Sequence, residues 1–127
     1  MKWLTILYSI LLLLIIAAAD QGSYQAIFNL VYLIPFGDKL GHFILIGVLA
    51  LVVNLTWNGA QLKCCKGYVL KGSIFVFLIV LLEELSQIFV ASRTFDLGDL
   101  VFDCLGIWVF GRVAEFLLRK RKIATTP

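Results

Sequence analysis

Asp38, Glu83, Glu84, Asp96, Asp99 and Asp103 are six of the eight acidic residues in this 127-residue chain, and each lies beside or inside a long apolar stretch. Lys39, His42, Gln87 and Arg93 accompany them. A carboxylate at the centre of a bilayer costs roughly 2.5–3.5 kcal/mol on insertion scales, so acids in such places need partners and are candidates for function by default. Their spacing is helical. Asp38 and His42 stand four apart, as do Asp99 and Asp103, and Glu84 and Gln87 stand three apart, so each pair shares one face of a helix. Glu83 is rotated by about 100° from Glu84 and meets a different environment. Six acids against Lys39 and Arg93, with His42 neutral, leave four uncompensated negative charges. A partly dehydrated bundle holds such a charge only with protonation, a bound cation or substantial water.

Three kinds of chemistry are open to this set. His42 with Glu84 could act as acid and base. His42, Asp38, Glu84 and Asp99 could bind a divalent metal through hard oxygen atoms and one imidazole, although no H-E-x-x-H signature is present. Alternatively, Lys39 and Arg93 could meet a phosphate or carboxylate while the acids and Gln87 accept hydrogen bonds from sugar or amine groups. The bland reading makes Asp38 and Asp99 helix caps or first-turn anions, His42 a packing residue, and the whole set a polar lock on helix register. A cap does not account for Asp103, which lies one turn deeper than Asp99. The preferred reading is a ligand, substrate or ion site made of Asp38, Lys39, His42, Glu84, Gln87, Arg93, Asp96, Asp99 and Asp103.

The elements that must position these residues are apolar helices. The chain is 61% hydrophobic with mean hydropathy +0.99. Trp3–Ala19, Leu40–Trp57, Val69–Ala91 and Leu100–Leu118 approach or exceed the ~17–25 apolar residues that span a hydrocarbon core as helix. Four such stretches leave no polar elements to cover a soluble core. The expectation is an all-α integral membrane bundle of four transmembrane helices forming a single domain over 1–127. If the third helix leaves the membrane near Ser92, Glu84 lies roughly 12 Å below that boundary at 1.5 Å per residue. Gly106 permits close helix approach. Between the first two spans, Tyr24, Ile27, Phe28, Val31 and Ile34 recur at helical spacing until Pro35 and Gly37 break the pattern. Tyr24–Phe36 therefore reads as a short interfacial helix. Ser92–Asp99 reads as a short polar connection with a turn at Gly98.

The net charge of +3 hides an asymmetry. Lys2, then Lys63, Lys66 and Lys71, then Arg119-Lys120-Arg121-Lys122 all fall on one side of a four-span chain. The positive-inside rule places that side, and both termini, in the cytoplasm. The tail reads as a topology anchor near anionic lipid, and nucleic-acid binding is not expected. Lys2, the apolar run and Ala17-Ala18-Ala19 also resemble a cleavable secretory signal, and the retained helix is the favoured reading. Cys64, Cys65 and Cys104 form no disulfide framework and read as inert thiols.

The order and spacing of Asp38-Lys39, His42, Glu84, Gln87, Arg93, Asp96, Asp99 and Gly106 resemble the VanZ-like family of small bacterial membrane proteins. The resemblance covers roughly residues 30–111 and rests on the E-x-x-Q, R-x-x-D-x-x-D and terminal x-x-G spacings together. Asp103 falls where the family often carries asparagine. The family takes its name from a protein associated with low-level resistance to teicoplanin, so the resemblance implies a role in the cell envelope. The phosphotransbutyrylase label given to some similar proteins finds no support in this chain, which has no Gly-rich phosphate loop. The expected function is a polar pocket in the outer half of the cytoplasmic membrane, engaging an envelope lipid or cell-wall precursor. The alternatives are a membrane enzyme acting on a lipid-linked substrate, and a small proton-coupled transporter that would need to oligomerise. The sequence names no catalytic residue, cofactor or metal.

Overall fold

The computed structural model describes residues 1–20, 29–30, 33–91 and 94–125. Its elements are helix α1 (Lys2–Asp20), helix α2 (Gly37–Thr56), strands β1 (Gln61–Cys64) and β2 (Gly67–Leu70), helix α3 (Lys71–Ser86) and helix α4 (Leu97–Thr125). A 3-10 turn, Gln87–Phe89, continues α3. Two helical segments are long and apolar enough to cross a membrane: Gly37–Thr56, and Lys71–Phe89 with the turn included. The apolar part of α1, Lys2–Ala18, is shorter. Helix α4 carries Asp99, Asp103, Arg112 and Glu115 along its length. Most of Tyr24–Phe36, the expected interfacial helix, lies outside the described residues, as does Arg93.

One element departs from the all-α expectation. The lysine-bearing connection is an antiparallel hairpin pairing Gln61 with Leu70, Leu62 with Val69, Lys63 with Tyr68 and Cys64 with Gly67. Val69, expected inside the third span, is therefore in a strand. The hairpin follows from how α2 ends. Gly59 N–H reaches back to Asn54 O at 2.8 Å and Asn58 N–H to Leu55 O at 3.1 Å, closing the helix with a left-handed Asn58 (φ 52°) and Gly59 (φ 66°). The chain leaves extended, and the bond from Lys71 N–H to Ala60 O at 2.8 Å joins the two ends of the hairpin just before α3 begins.

The tightest packing is between α2 and α4. A Cβ at Gly106 would collide with the backbone oxygen of Phe43, and one at Gly47 would collide with the Phe110 ring. The missing side chains let the two backbones approach, which is how apolar helices gain dispersion contact without a hydrophobic driving force between them. Phe43 and Phe110 meet edge to face across this seam at 5.9 Å between ring centroids. Around it, Leu12, Leu49, Ala50, Val53, Val76, Val80 and Ile107 form the apolar core. A second contact ties α2 to α3 near the hairpin. Asn54, fully buried, donates from Nδ2 to Ser73 Oγ at 2.9 Å, and a Cβ at Gly72 would strike Asn54 Oδ1.

Polar side chains are buried alongside the apolar core, and large apolar ones are exposed. The largest fully buried side chains are Glu84, Val76, Asn54 and Asp103, three of them polar. Leu7, Leu13, Leu14, Leu78, Leu82, Ile88, Phe89, Trp108 and Phe116 are all more than half exposed. Continuous apolar surface of this kind has to be covered by something other than water.

Candidate functional site

The polar residues gather where the start of α2, the end of α3 and the start of α4 meet. Asp96 caps α4: its Oδ1 accepts from Gly98 N–H at 2.7 Å, the second residue of the helix. The cap is thus Asp96, where the sequence alone offered Asp99. Asp99, in the first turn of α4 beside its positive dipole end, is free to face α2. Lys39 Nζ answers both acids, donating to Asp96 Oδ2 at 2.8 Å and to Asp99 Oδ1 at 3.0 Å. The Lys39 ammonium, followed by the Gly98 amide, holds the Asp96 carboxyl below the usual carboxylate range. The stability this gives is complete above the ordinary Asp pKa and is lost as pH falls through the lowered value. Gly98 has to be small here, because a Cβ would lie 2.9 Å from both Lys39 Nζ and Asp96 Oδ1.

One turn deeper, His42 Nδ1 lies 3.1 and 3.2 Å from the two carboxylate oxygens of Asp103, which is 1% exposed. The ring's other nitrogen, Nε2, is 3.7 Å from Asp99 Oδ2. With Asp103 accepting from Nδ1–H, the neutral tautomer leaves the Nε2 lone pair facing Asp99. Asp38, in the first turn of α2, has no hydrogen-bond partner among the described residues. One ligand-type atom from each of Asp38, His42 and Asp99 lies within 4.8 Å of the other two.

The α3 residues divide the work. Glu84, 0% exposed, accepts from the backbone N–H of Asp96 at 3.0 Å through Oε1 and from Gln87 Nε2 at 3.2 Å through Oε2. It therefore anchors the start of α4 onto the end of α3. Gln87 also donates to both oxygens of Glu83, at 2.9 and 3.1 Å. Gln87 thus sits between the two acids, with Glu84 turned to the start of α4 and Glu83 to the other side.

Glu83 faces a cavity. The space, about 760 Å³, runs between α1 and the α2–α3 pair. Asp38, His42, Glu83 and Asp103 line it, all at the end where α2 begins and α3 finishes, while Leu12, Leu45, Leu49 and Val80 belong to its apolar wall. Helix α1 closes the far side. Tyr8 Oη donates to Leu45 O at 2.9 Å, and the hydroxyls of Thr5 and Thr56 meet at 2.6 Å.

Of the nine candidate residues, eight are thus in one neighbourhood, and Arg93 falls outside the described residues. Glu83 and Gly98 belong beside them. Glu83 was visible as an intramembrane acid but not as the one lining the cavity, because rotation of α3 about its axis cannot be read from α3 alone. Asn54 was missed altogether, though as a lone amide inside the Leu40–Trp57 stretch it carried the same signal as the acids.

The VanZ/LLP1 family model matches residues 3–117. The chain belongs to the VanZ/LLP1 family. No curated protein and no solved structure matches it. The family match takes in α1 as well as the three helices that build the polar cluster, a longer stretch than the residue 30–111 resemblance. All nine candidate residues lie inside the VanZ/LLP1 region. Family membership and the two membrane-capable helices together are those of a membrane protein.

Proposed function

We propose that this VanZ/LLP1 protein is a four-span bundle of the cytoplasmic membrane, with both termini in the cytoplasm, whose outer-end pocket engages the headgroup of a lipid-linked envelope molecule. The observation that carries this reading is the two-part character of the 760 Å³ cavity. Its apolar length suits a hydrocarbon chain, and its polar end offers carboxylates and an imidazole to a sugar or amine headgroup. The many exposed large apolar side chains support a lipid surrounding. The lysine hairpin and the Arg119–Lys122 tail support the orientation.

Binding is tested with purified protein in nanodiscs, using a polyprenyl-diphosphate-linked aminosugar as probe and phosphatidylglycerol as competitor. The expected result is at least tenfold preference for the probe, reduced at least tenfold by Glu83→Gln with thermal stability unchanged. Glu83 is the better choice than Glu84, because Glu84 also holds the Asp96 backbone. Equal affinity for the two lipids would sink the pocket reading. A role in teicoplanin susceptibility belongs to the same proposal, and a deletion strain with unchanged susceptibility would remove it.

Orientation has a built-in reporter. Cys64 and Cys65 are exposed in and beside the hairpin turn, and Cys65 sits at φ 49°. With Cys104 replaced by alanine, a membrane-impermeant thiol reagent should leave intact spheroplasts unlabelled and should label them after permeabilisation. Labelling of intact spheroplasts would reverse the topology.

A further inference from the structure

We infer that Asp38, His42 and Asp99 form a binding site for a divalent transition-metal ion of the zinc type at the polar end of the cavity, with Asp103 as positioning residue. The inference deepens the pocket reading and rests on the same residues. Its geometry differs from that of a simple acidic cluster. The imidazole is clamped from behind: Nδ1 faces both oxygens of a carboxylate that is 1% exposed. Zinc-binding histidines are typically held by this carboxylate–imidazole arrangement, which fixes the tautomer and turns the opposite lone pair toward the ion. Here that lone pair, on Nε2, turns toward Asp99 Oδ2 at 3.7 Å.

The ligand inventory is complete for an open site. Asp99 spends Oδ1 on Lys39 and keeps Oδ2 for the ion. Asp38 has no competing hydrogen bond among the described residues and is half-buried at the cavity wall. The three donor atoms lie within 4.8 Å of one another. Zinc bonds of about 2.0–2.2 Å place tetrahedral ligands roughly 3.3 Å apart, so closing requires a movement of about 1 Å or a little more, which turning of the half-buried Asp38 side chain supplies. Two carboxylates and one imidazole leave the fourth position open to the cavity, the arrangement in which a bound ion can also meet a ligand oxygen.

Charge points the same way. Glu84, Asp99 and Asp103 are buried, Asp38 and Glu83 partly so, and with His42 neutral only Lys39 among the described residues stands against them at this end. A divalent cation removes two of the surplus charges. It also answers the difficulty of an anionic headgroup entering an acidic pocket, because the ion bridges the two.

The test uses full-length protein, stripped with chelator and titrated with Zn²⁺ alone in detergent by calorimetry, with Co²⁺ as a spectroscopic stand-in. One equivalent of Zn²⁺ should bind, with visible d–d absorption of tetrahedral intensity for Co²⁺. Asp38→Asn should weaken Zn²⁺ binding at least tenfold while leaving the melting temperature of the metal-free protein unchanged, since Asp38 makes no hydrogen bond among the described residues. Asp103→Asn should weaken it by about 10–100-fold without abolishing the stoichiometry, as loss of an orienting carboxylate does. Glu115→Gln, at the opposite end, should change nothing. Absence of stoichiometric binding by the folded wild type would overturn the inference, as would equal affinity in Asp38→Asn. Lipid binding with and without Zn²⁺ separates the two readings: Zn²⁺ bound but the lipid-linked probe not preferred defeats the pocket, whereas probe bound equally well without metal defeats the bridging ion.

Discussion

Gly106→Val is expected to abolish the folded bundle or to lower its stability more than any other single substitution on α4. The new side chain would meet the backbone oxygen of Phe43, with Gly47 N only 3.2 Å from the Cβ position. Overpacking a core typically costs about 1–3 kcal/mol when side chains can shift. Here the obstacle is backbone, so relief requires moving a whole helix and opening the Phe43–Phe110 contact. Gly41→Ala is the matched control: it lies in α2, the partner helix of the seam, and nothing lies within 4 Å of its Cβ position. That change should be neutral or stabilise by up to about 1 kcal/mol, from helix propensity alone. Expression and melting in detergent of the two variants decide the matter. Equal behaviour would mean that the α2–α4 seam is not the principal contact of the fold.

The second large effect is expected at the His42–Asp103 pair. Removing one partner of a buried ion pair costs on the order of 3–5 kcal/mol, because the other is left uncompensated, whereas replacing both with apolar residues is often neutral or stabilising. Asp103, at 1% exposure, has only His42 as a side-chain partner among the described residues. Thus His42→Leu should be much less stable than wild type in chelator-treated protein. His42→Leu combined with Asp103→Leu should recover most of the loss. Interhelical hydrogen bonds in membranes often contribute only about 0.6 kcal/mol, which an ordinary contact here would not exceed. The cycle should instead show coupling of about 1–3 kcal/mol. Additivity would make the contact incidental and would also remove the clamp on which the metal site depends.

These pairs show what the sequence made legible. Helical spacing placed Asp38 with His42, Asp99 with Asp103, and Glu84 with Gln87, because within a helix face and depth follow from position. It could not say that Lys39 answers Asp96 and Asp99, 57 and 60 positions away. That depends on how α2 is rotated against α4, which Gly47 and Gly106 set together. The same limit hid the division between Glu83 and Glu84. The hairpin escaped for a different reason: Gln61–Leu70 mixes lysines with Leu62, Tyr68 and Val69, and an apolar run continuing into α3 masks the short alternation. The basic count on which the proposed orientation rests survives the change, since the lysines stay in the α2–α3 connection.

Helix α1 is held differently from its neighbours. Of its described side chains only Leu12 is buried, and its named polar ties are the hydroxyls of Thr5 and Tyr8. By contrast, α2 and α4 share a glycine seam, an aromatic contact and the Lys39 and His42 pairs. Local opening is least costly where few contacts are lost, so amide exchange should rank the helices rather than report one global value. The amides of α1 should exchange first, while those flanking Gly47 and Gly106 persist to the last. The wall of the cavity that separates first is therefore α1, and in the proposed membrane setting a guest with a long tail would have a sideways route in that leaves the α2–α4 seam closed.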